Sequence, residues 1–171
     1  MSNPSAIQAV LDRAVADGVF PGAVVAVRLG DKPSARFYAG RLSTDPPGAA
    51  VLASTVYDLA SLTKPLATVT ALVLLIQNGR CRLDACVAEY LKECAETPIG
   101  SATLRDLLTH QSGLPGWRGY YERLSPDGRT PSSKEERLLA KQKVLDLIRS
   151  EGSVYTRAAR SLYSDLGFML L

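Results

Sequence analysis

The sequence contains few of the residues on which disulfide and metal chemistry depend. Its 171 residues include one histidine and three cysteines, and aromatic residues make up 6%. An odd number of cysteines with no secretory leader argues against a disulfide framework. Cys81, Cys86 and Cys94 have the spacing C-x4-C-x7-C, and His110 follows 16 residues later. Because this spacing is not that of a usual zinc site, we do not expect a metal site.

A strong charge excess and a long apolar run are also missing. The formal net charge is +3, which is too small to indicate nucleic-acid binding. No stretch approaches the ~20 continuous apolar residues that span a bilayer. The first residues show no basic region followed by an apolar one. We therefore expect no nucleic-acid partner, no membrane span and a cytoplasmic location, and the sequence leaves the oligomeric state open.

The apolar fraction of 46% and the length are typical of one globular domain. Apolar spacing predicts an amphipathic helix over 6–17, and 23–29 and 35–39 are expected to form a β-hairpin whose first strand is buried. A helix is predicted from about 62 to 77, and its small polar face favours burial. We expect one partial domain, 1–171, with the helix and hairpin in 1–60 and a helical region in 61–171.

The rest of the chain is predicted to be helical, with one long loop. A short helical region is expected at 85–93, and capping boxes indicate helices that begin after Thr103 and Ser133. Residues 116–133 are expected to form a loop, and a last helix is predicted from Tyr163 to the end of the chain. The loop carries three aromatic residues that are interpreted as a lid or pocket wall rather than an interaction module: Trp117, Tyr120 and Tyr121.

The end of the chain is unusual. Residues 168–171 are apolar and show no helix stop signal. Two strands are also too few for a stable sheet without cover. Both features favour a chain that ends before its fold does.

Ser61 and Lys64 are the first candidates for chemistry. At a spacing of three on a helix, the Lys64 amine can reach the Ser61 hydroxyl. Burial lowers the pKa of a lysine and makes it a usable base, and a serine beside a base is an activated nucleophile. The alternative from the residues alone is a capping serine with a surface lysine.

Tyr163 and His110 are weaker candidates from the residues alone. A tyrosine near a Ser/Lys pair can transfer a proton to a leaving group, but Tyr163 also fits a core residue beside a helix-capping Ser164 or Asp165. His110 suits a structural role, bonding free carbonyls at a helix C-terminus, better than a place in a Ser-His-Asp triad.

Three blocks resemble the serine β-lactamase and penicillin-binding-protein superfamily, closest to its class C, D-aminopeptidase and esterase branch. They are DLASLTKPLATVTALVLLIQNGRCRLD, TLRDLLTHQSGLP and YSDLGFMLL. The resemblance implies that Ser61 is the acylated nucleophile, Lys64 its partner base and Tyr163 the tyrosine of the Tyr-x-Asn motif. Asp165 occupies the Asn position as an orienting or substrate-binding residue. The His110 block marks the family without belonging to its catalytic set.

The resemblance also implies the fold and the function. The fold class is α/β (α+β), a β-lactamase/transpeptidase-like fold that is incomplete, because the Lys-Thr-Gly or His-x-Gly strand and the other C-terminal strands of the sheet are missing. The implied function is a serine hydrolase that forms an acyl-enzyme on ester, amide or β-lactam carbonyls of small molecules, with esterase-like chemistry favoured. Such a mechanism needs no metal and no cofactor. The alternative is a truncated, non-catalytic fragment that at most binds a ligand.

Asp165 also affects the expected mechanism. An ionised carboxylate near Lys64 would favour the charged ammonium and raise the pKa of the lysine. We therefore expect Tyr163 to do more of the base work here than in relatives that have Asn at this position.

Overall fold

The structure, a computed structural model, describes residues 4–125 and 127–171. The chain divides into two compact units, Met1–Asp58 and Leu59–Leu171. Each unit has its own apolar core. Residues 1–3 and Pro126 lie outside the described residues. The first three belong to the N-terminal segment in which no leader was predicted.

The first unit is a helix packed on a β-hairpin, as predicted. Helix α1 (Pro4–Ala16) lies against strand β2 (Ala35–Gly40), which pairs antiparallel with β1 (Gly22–Val27). Val25 stands opposite Phe37 in the pairing. The core cluster of this unit contains Leu11, Phe37 and Ala39, and Val51 is also buried.

Strand β1 is not the fully buried strand that 23–29 predicted. It ends at Val27, and its side chains alternate, with Val25 half-buried and Val24 exposed. In a two-stranded sheet that has a helix on one face, every second side chain lies on the other face. A run rich in valine could not reveal this alternation, because both faces of the strand carry apolar residues.

The second unit is helical. Its α-helices are α2 (Thr70–Gln77), α3 (Val87–Tyr90), α4 (Leu104–Leu108), α5 (Tyr120–Leu124), α6 (Lys134–Arg149) and α7 (Asp165–Leu170). Leu107, Ile148 and Leu166 are the largest apolar side chains that are fully buried between them. Their core joins α4, α6 and α7, and so sets the place of the last helix.

Two capping boxes start helices where the sequence predicted them. The Thr103 side chain accepts the Asp106 N–H, and the Asp106 carboxylate accepts the Thr103 N–H at 2.9 Å. Ser133 and Glu136 make the same reciprocal pair at the start of α6. Each pair satisfies N–H groups that have no partner inside the helix.

Residues 60–77 form one continuous helical segment, called here the Ser61 helix. It opens with a 3₁₀ turn (Ala60–Leu62), continues as a π-helical stretch (Lys64–Val69) and ends in α2. Pro65 lies near its start, where a missing N–H is tolerated. The predicted helix and its start near Ser61 are confirmed.

The predicted burial of the Ser61 helix is wrong. Leu72 is 6% exposed and packs in the core of the second unit, whereas Leu74, two residues later, is 54% exposed. The other large apolar side chains of this helix that are exposed are Leu62, Leu66 and Val73. A helix that is apolar all round needs cover on every side, and the second unit packs against one side only.

The Ser61 helix also bears on the expected absence of a membrane span. By length and composition alone, Ala60–Gln77 could cross a membrane, with a mean hydropathy of 1.4 over 18 residues. The core helix of a soluble protein passes the same test. The absence of a membrane span therefore stays a prediction.

The loop over 116–133 is more ordered and less uniform than predicted. It contains α5, and Tyr120 in that helix is buried in the core, where its hydroxyl donates to Glu151 at 2.8 Å. Tyr120 is therefore a structural residue, not part of a lid or pocket wall. Trp117 and Tyr121 are exposed, with ring centroids 6.3 Å apart.

Candidate active site

Ser61 and Lys64 lie at the start of the Ser61 helix, and their side chains meet. The Lys64 Nζ donates to the Ser61 Oγ at 3.3 Å. Ala60, immediately before the serine, has a φ of 44°, a left-handed conformation that is rare for a residue with a side chain. This turn and the three-residue spacing together place the lysine beside the serine.

Asp165 is the closest partner of Lys64. Its Oδ1 lies 2.5 Å from the Lys64 Nζ, although the two residues are 101 positions apart in the chain. Their side chains are 17% and 29% exposed, so water screens the pair only partly. Asp165 opens α7, and its backbone N–H donates to the Gly116 carbonyl at 2.8 Å.

Tyr163 completes the cluster on its open side. Its phenol oxygen is hydrogen-bonded by both Ser61 and Lys64. The Lys64 Nζ lies 5.0 Å from the centre of the Tyr163 ring. Ser61 is exposed and Tyr163 is 51% exposed, so a molecule arriving from solvent can reach both residues. The structure thus brings all four predicted site residues together.

The charges of the cluster differ from the first expectation for Lys64. Burial alone lowers the pKa of Lys64, but its hydrogen bonds to Asp165 and Tyr163 outweigh burial, so the pKa lies above its ordinary value. A neutral lysine base, which burial alone predicted, is therefore not favoured. The hydrogen bonds from Ser61 and Lys64 lower the pKa of the Tyr163 phenol. This direction favours the phenolate of Tyr163, the form that can accept the Ser61 proton as a base.

Two aromatic neighbours of the cluster were not predicted. The His110 ring lies 4.6 Å from the Tyr163 ring and 5.1 Å from the Phe168 ring, measured between centroids. The Lys64 Nζ lies 5.6 Å from the centre of the Phe168 ring. Phe168 stood in the apolar tail, and its spacing of three from Asp165 on a helix was the signal that could have revealed it.

The role of His110 at a helix end was predicted incorrectly in detail. Its side chain does not bond free carbonyls; its Nδ1 instead accepts the Ser164 N–H at 3.0 Å. His110 has a φ of 58°, which turns the chain out of α4 and aims the ring at the segment before α7. Among the described residues His110 makes no triad contact, and its Nδ1 is bonded to a backbone N–H.

No cluster suited to a metal accompanies this site. Within residues 4–125 and 127–171, no three His, Cys, Asp or Glu side chains gather as metal ligands would. The three cysteines are free thiols.

A family model described as Beta-lactamase matches residues 7–171. The chain belongs to the β-lactamase family. This confirms the resemblance seen in the three sequence blocks.

Among the curated relatives of this β-lactamase-family chain is a putative D-alanyl-D-alanine carboxypeptidase of Escherichia coli K12, 32% identical over 144 residues. The match covers 81% of this chain and 31% of that relative.

A second relative is the N-acetylmuramyl-L-alanine amidase of Bacillus subtilis 168, 31% identical over 179 residues. That match covers 96% of this chain and 38% of the relative. The chain thus spans about a third of the length of the curated relatives that it matches.

Solved structures show the same partial match of fold. A class C β-lactamase from Rhodobacter sphaeroides superposes with a TM-score of 0.66 at 25% identity, over 97% of this chain and 41% of that one. The D-amino acid amidase from Ochrobactrum anthropi SV3 gives a TM-score of 0.75 at 24% identity, over 98% and 43%. The predicted fold class is confirmed: helix-rich, with one small two-stranded sheet among the described residues, and incomplete relative to the β-lactamase-like fold.

Proposed function

We propose that this chain carries the nucleophile of a serine hydrolase that works through an acyl-enzyme. The observation that carries the proposal is the cluster of Ser61, Lys64, Tyr163 and Asp165. In it a serine hydroxyl is hydrogen-bonded to a tyrosine whose pKa is lowered, beside a lysine that an aspartate keeps charged. A nucleophile, a base and a group that orients the base are the parts that covalent catalysis requires.

The proton transfers follow from these contacts. As the Ser61 Oγ bonds to the carbonyl carbon, its proton passes to the Tyr163 oxygen, and the Lys64 ammonium stabilises the phenolate until then. Tyr163 then protonates the departing nitrogen or oxygen as the bond from carbonyl carbon to leaving group breaks. In the second half, water gives a proton to Tyr163 as its oxygen bonds to the acyl carbon. Tyr163 passes that proton to the Ser61 Oγ as the bond from Oγ to the acyl carbon breaks, which frees the product acid and restores the Ser61 hydroxyl. The Ser61 N–H supplies part of the oxyanion hole.

We propose ester, amide or β-lactam carbonyls as the substrate class, with no cofactor. The names of two relatives, a carboxypeptidase and an amidase, favour amide bonds. The esterase preference expected from Asp165 stays a prediction. An ester and an amide of one acyl group, compared by kcat/KM, separate the two, because the acyl pocket is then the same.

The second candidate is a fragment that folds but does not acylate. Two observations favour it: the exposed apolar residues of the Ser61 helix, and the match to about a third of each curated relative. The labelling experiment below distinguishes the two candidates.

A fluorophosphonate probe is expected to label the chain once, at Ser61. The Ser61 Oγ forms a bond to phosphorus, fluoride leaves, and the serine proton passes to Tyr163. Intact-mass analysis and peptide mapping locate the adduct. Ser61→Ala should abolish labelling, while Ser101→Ala, a change at an exposed serine, should leave it intact. A chain that is folded by circular dichroism but unlabelled would contradict the hydrolase and favour the non-catalytic fragment.

Asp165→Asn is expected to lower the acid-side apparent pKa of the labelling rate. The carboxylate raises the pKa of Lys64 through their hydrogen bond, and its charge also raises the pKa of Tyr163. A neutral amide removes both effects, so the base becomes available at lower pH. Labelling rates measured across the pH range test this. Asp84→Asn, which breaks a surface ion pair with Arg105, is the matched control. An unchanged profile in Asp165→Asn would refute the role given to Asp165.

A further inference from the structure

The segment that leads into Tyr163 runs along the segment that contains His110. Between them, backbone N–H groups of residues 154–165 donate to carbonyls of residues 110–116 at 2.8 to 2.9 Å. The pairs are Val154 to Gly113, Ala158 to Gln111, Leu162 to His110 and Asp165 to Gly116. These hydrogen bonds to the 110–116 segment therefore position the backbone that carries Tyr163 and Asp165.

Ser164, which lies between Tyr163 and Asp165, is bonded to the 110–116 segment by both its side chain and its backbone. It is buried, and its Oγ donates to the Pro115 carbonyl at 2.8 Å and accepts the Gly167 N–H at 3.1 Å. Its backbone N–H, which lies between Tyr163 and Asp165 in the chain, donates to the His110 Nδ1 at 3.0 Å. The His110 imidazole is thus a titratable side chain that bonds directly to the backbone of Ser164.

His110 contacts the cluster in two ways at once. Its Nδ1 holds the backbone after Tyr163, and its ring packs between the Tyr163 and Phe168 rings, the same two rings over which the Lys64 Nζ lies. Because Nδ1 accepts a hydrogen bond, the proton of the neutral imidazole is on Nε2. Burial and the nearby Lys64 charge lower the pKa of His110, which keeps the ring neutral.

We propose that His110 is a positioning residue: its Nδ1 holds the Ser164 N–H and its ring supports Tyr163, so that the phenol stays at the Ser61 hydroxyl. This inference rests on the proposed function for its effect on catalysis, but the contact itself does not. A small displacement of a reacting group can cost about a hundredfold in rate. Loss of the Nδ1 contact is therefore expected to slow acylation without removing any group that takes part in it.

Three substitutions separate the contact from the bulk of the ring. His110→Asn keeps an acceptor near the Nδ1 position and tolerates the φ of 58°. His110→Phe keeps an aromatic ring but has no acceptor, and His110→Gln moves the acceptor further out. We expect the fluorophosphonate labelling rate to fall about tenfold to a hundredfold in His110→Phe and His110→Gln. His110→Asn should keep most of the wild-type rate.

A second readout is independent of labelling. The titration of the Tyr163 phenol, followed by carbon NMR and assigned with Tyr163→Phe, reports whether the phenol still meets Ser61 and Lys64. In His110→Phe its pKa is expected to rise toward the ordinary value, and in His110→Asn it should stay lowered. A loss of stability alone would not move this titration while the chain remains folded.

The outcomes distinguish this inference from the proposed hydrolase. In one outcome, the wild type stays unlabelled while the pKa of Tyr163 is higher in His110→Phe than in His110→Asn. That result would support the positioning role and contradict the proposed hydrolase. Equal titrations and equal labelling rates in folded Phe and wild-type chains would overturn the positioning role. If His110→Phe does not fold, nitrogen NMR of the wild-type imidazole decides: a proton on Nδ1 at neutral pH would overturn the proposal.

Discussion

Lys64→Met is expected to slow fluorophosphonate labelling of Ser61 by about 10²–10⁴-fold, the range usual for loss of a group that assists proton transfer. The lysine donates to Ser61 and Tyr163 and keeps the phenol pKa low. Methionine retains a similar length without the charge, so the Tyr163 pKa should rise and the serine should lose its base. The second-order labelling rate, measured with a mass readout, tests this expectation.

The design must separate the loss of Lys64 from the carboxylate that it leaves behind. In Lys64→Met, Asp165 loses its partner, and its negative charge lies close to Tyr163. The double variant Lys64→Met/Asp165→Asn removes that charge and should recover part of the lost rate if the stranded carboxylate contributes. Lys92→Met, at an exposed lysine outside the cluster, should label like the wild type. A Lys64→Met rate equal to that of Lys92→Met would remove the lysine from the mechanism.

Leu72→Ala is expected to lower the free energy of unfolding by about 2–5 kcal/mol, because it empties space in a packed core. Leu72 is 6% exposed and lies in α2 among the core residues of the second unit. Leu74 lies in the same helix, has the same side chain and is 54% exposed, so Leu74→Ala should cost less than about 1 kcal/mol. Urea unfolding of both variants, followed by circular dichroism, measures the difference.

The pair Leu72 and Leu74 tests which side of the Ser61 helix is covered. Both substitutions remove the same atoms from one short helix, so helix propensity changes equally in the two variants. Equal losses of stability would mean that Leu74 is also covered in solution, by a second copy or by another part of the protein. Sedimentation at several concentrations would then show whether self-association provides the cover.

Local features of the fold were predictable because neighbours in sequence determine them. The capping box at Thr103, the hairpin, and the approach of Lys64 to Ser61 depend on spacings of a few residues, which backbone geometry converts directly into contacts. The extent of burial was not predictable in this way. An apolar pattern indicates that the Ser61 helix favours cover, but only packing decides which side receives it.

The charges of the site show the same division. From the sequence, Lys64 had two opposite expectations: burial would lower its pKa, and an ionised Asp165 nearby would raise it. Only the folded chain decides between them, because α7 brings the carboxylate to 2.5 Å across 101 positions. The raised pKa of Lys64 and the lowered pKa of Tyr163 both follow from that placement.

The sequence alone determined the helix that presents Ser61 and, through the resemblance that its motifs carry, the family of this chain and the four residues of the candidate site. These features depend on motifs and on short spacings, which the order of residues specifies directly. The tertiary structure alone decided the charge of Lys64, the support of Tyr163 by His110 and the exposed side of the Ser61 helix. Each of these depends on contacts between distant segments, and such contacts form only when the chain buries its apolar surface in one particular packing.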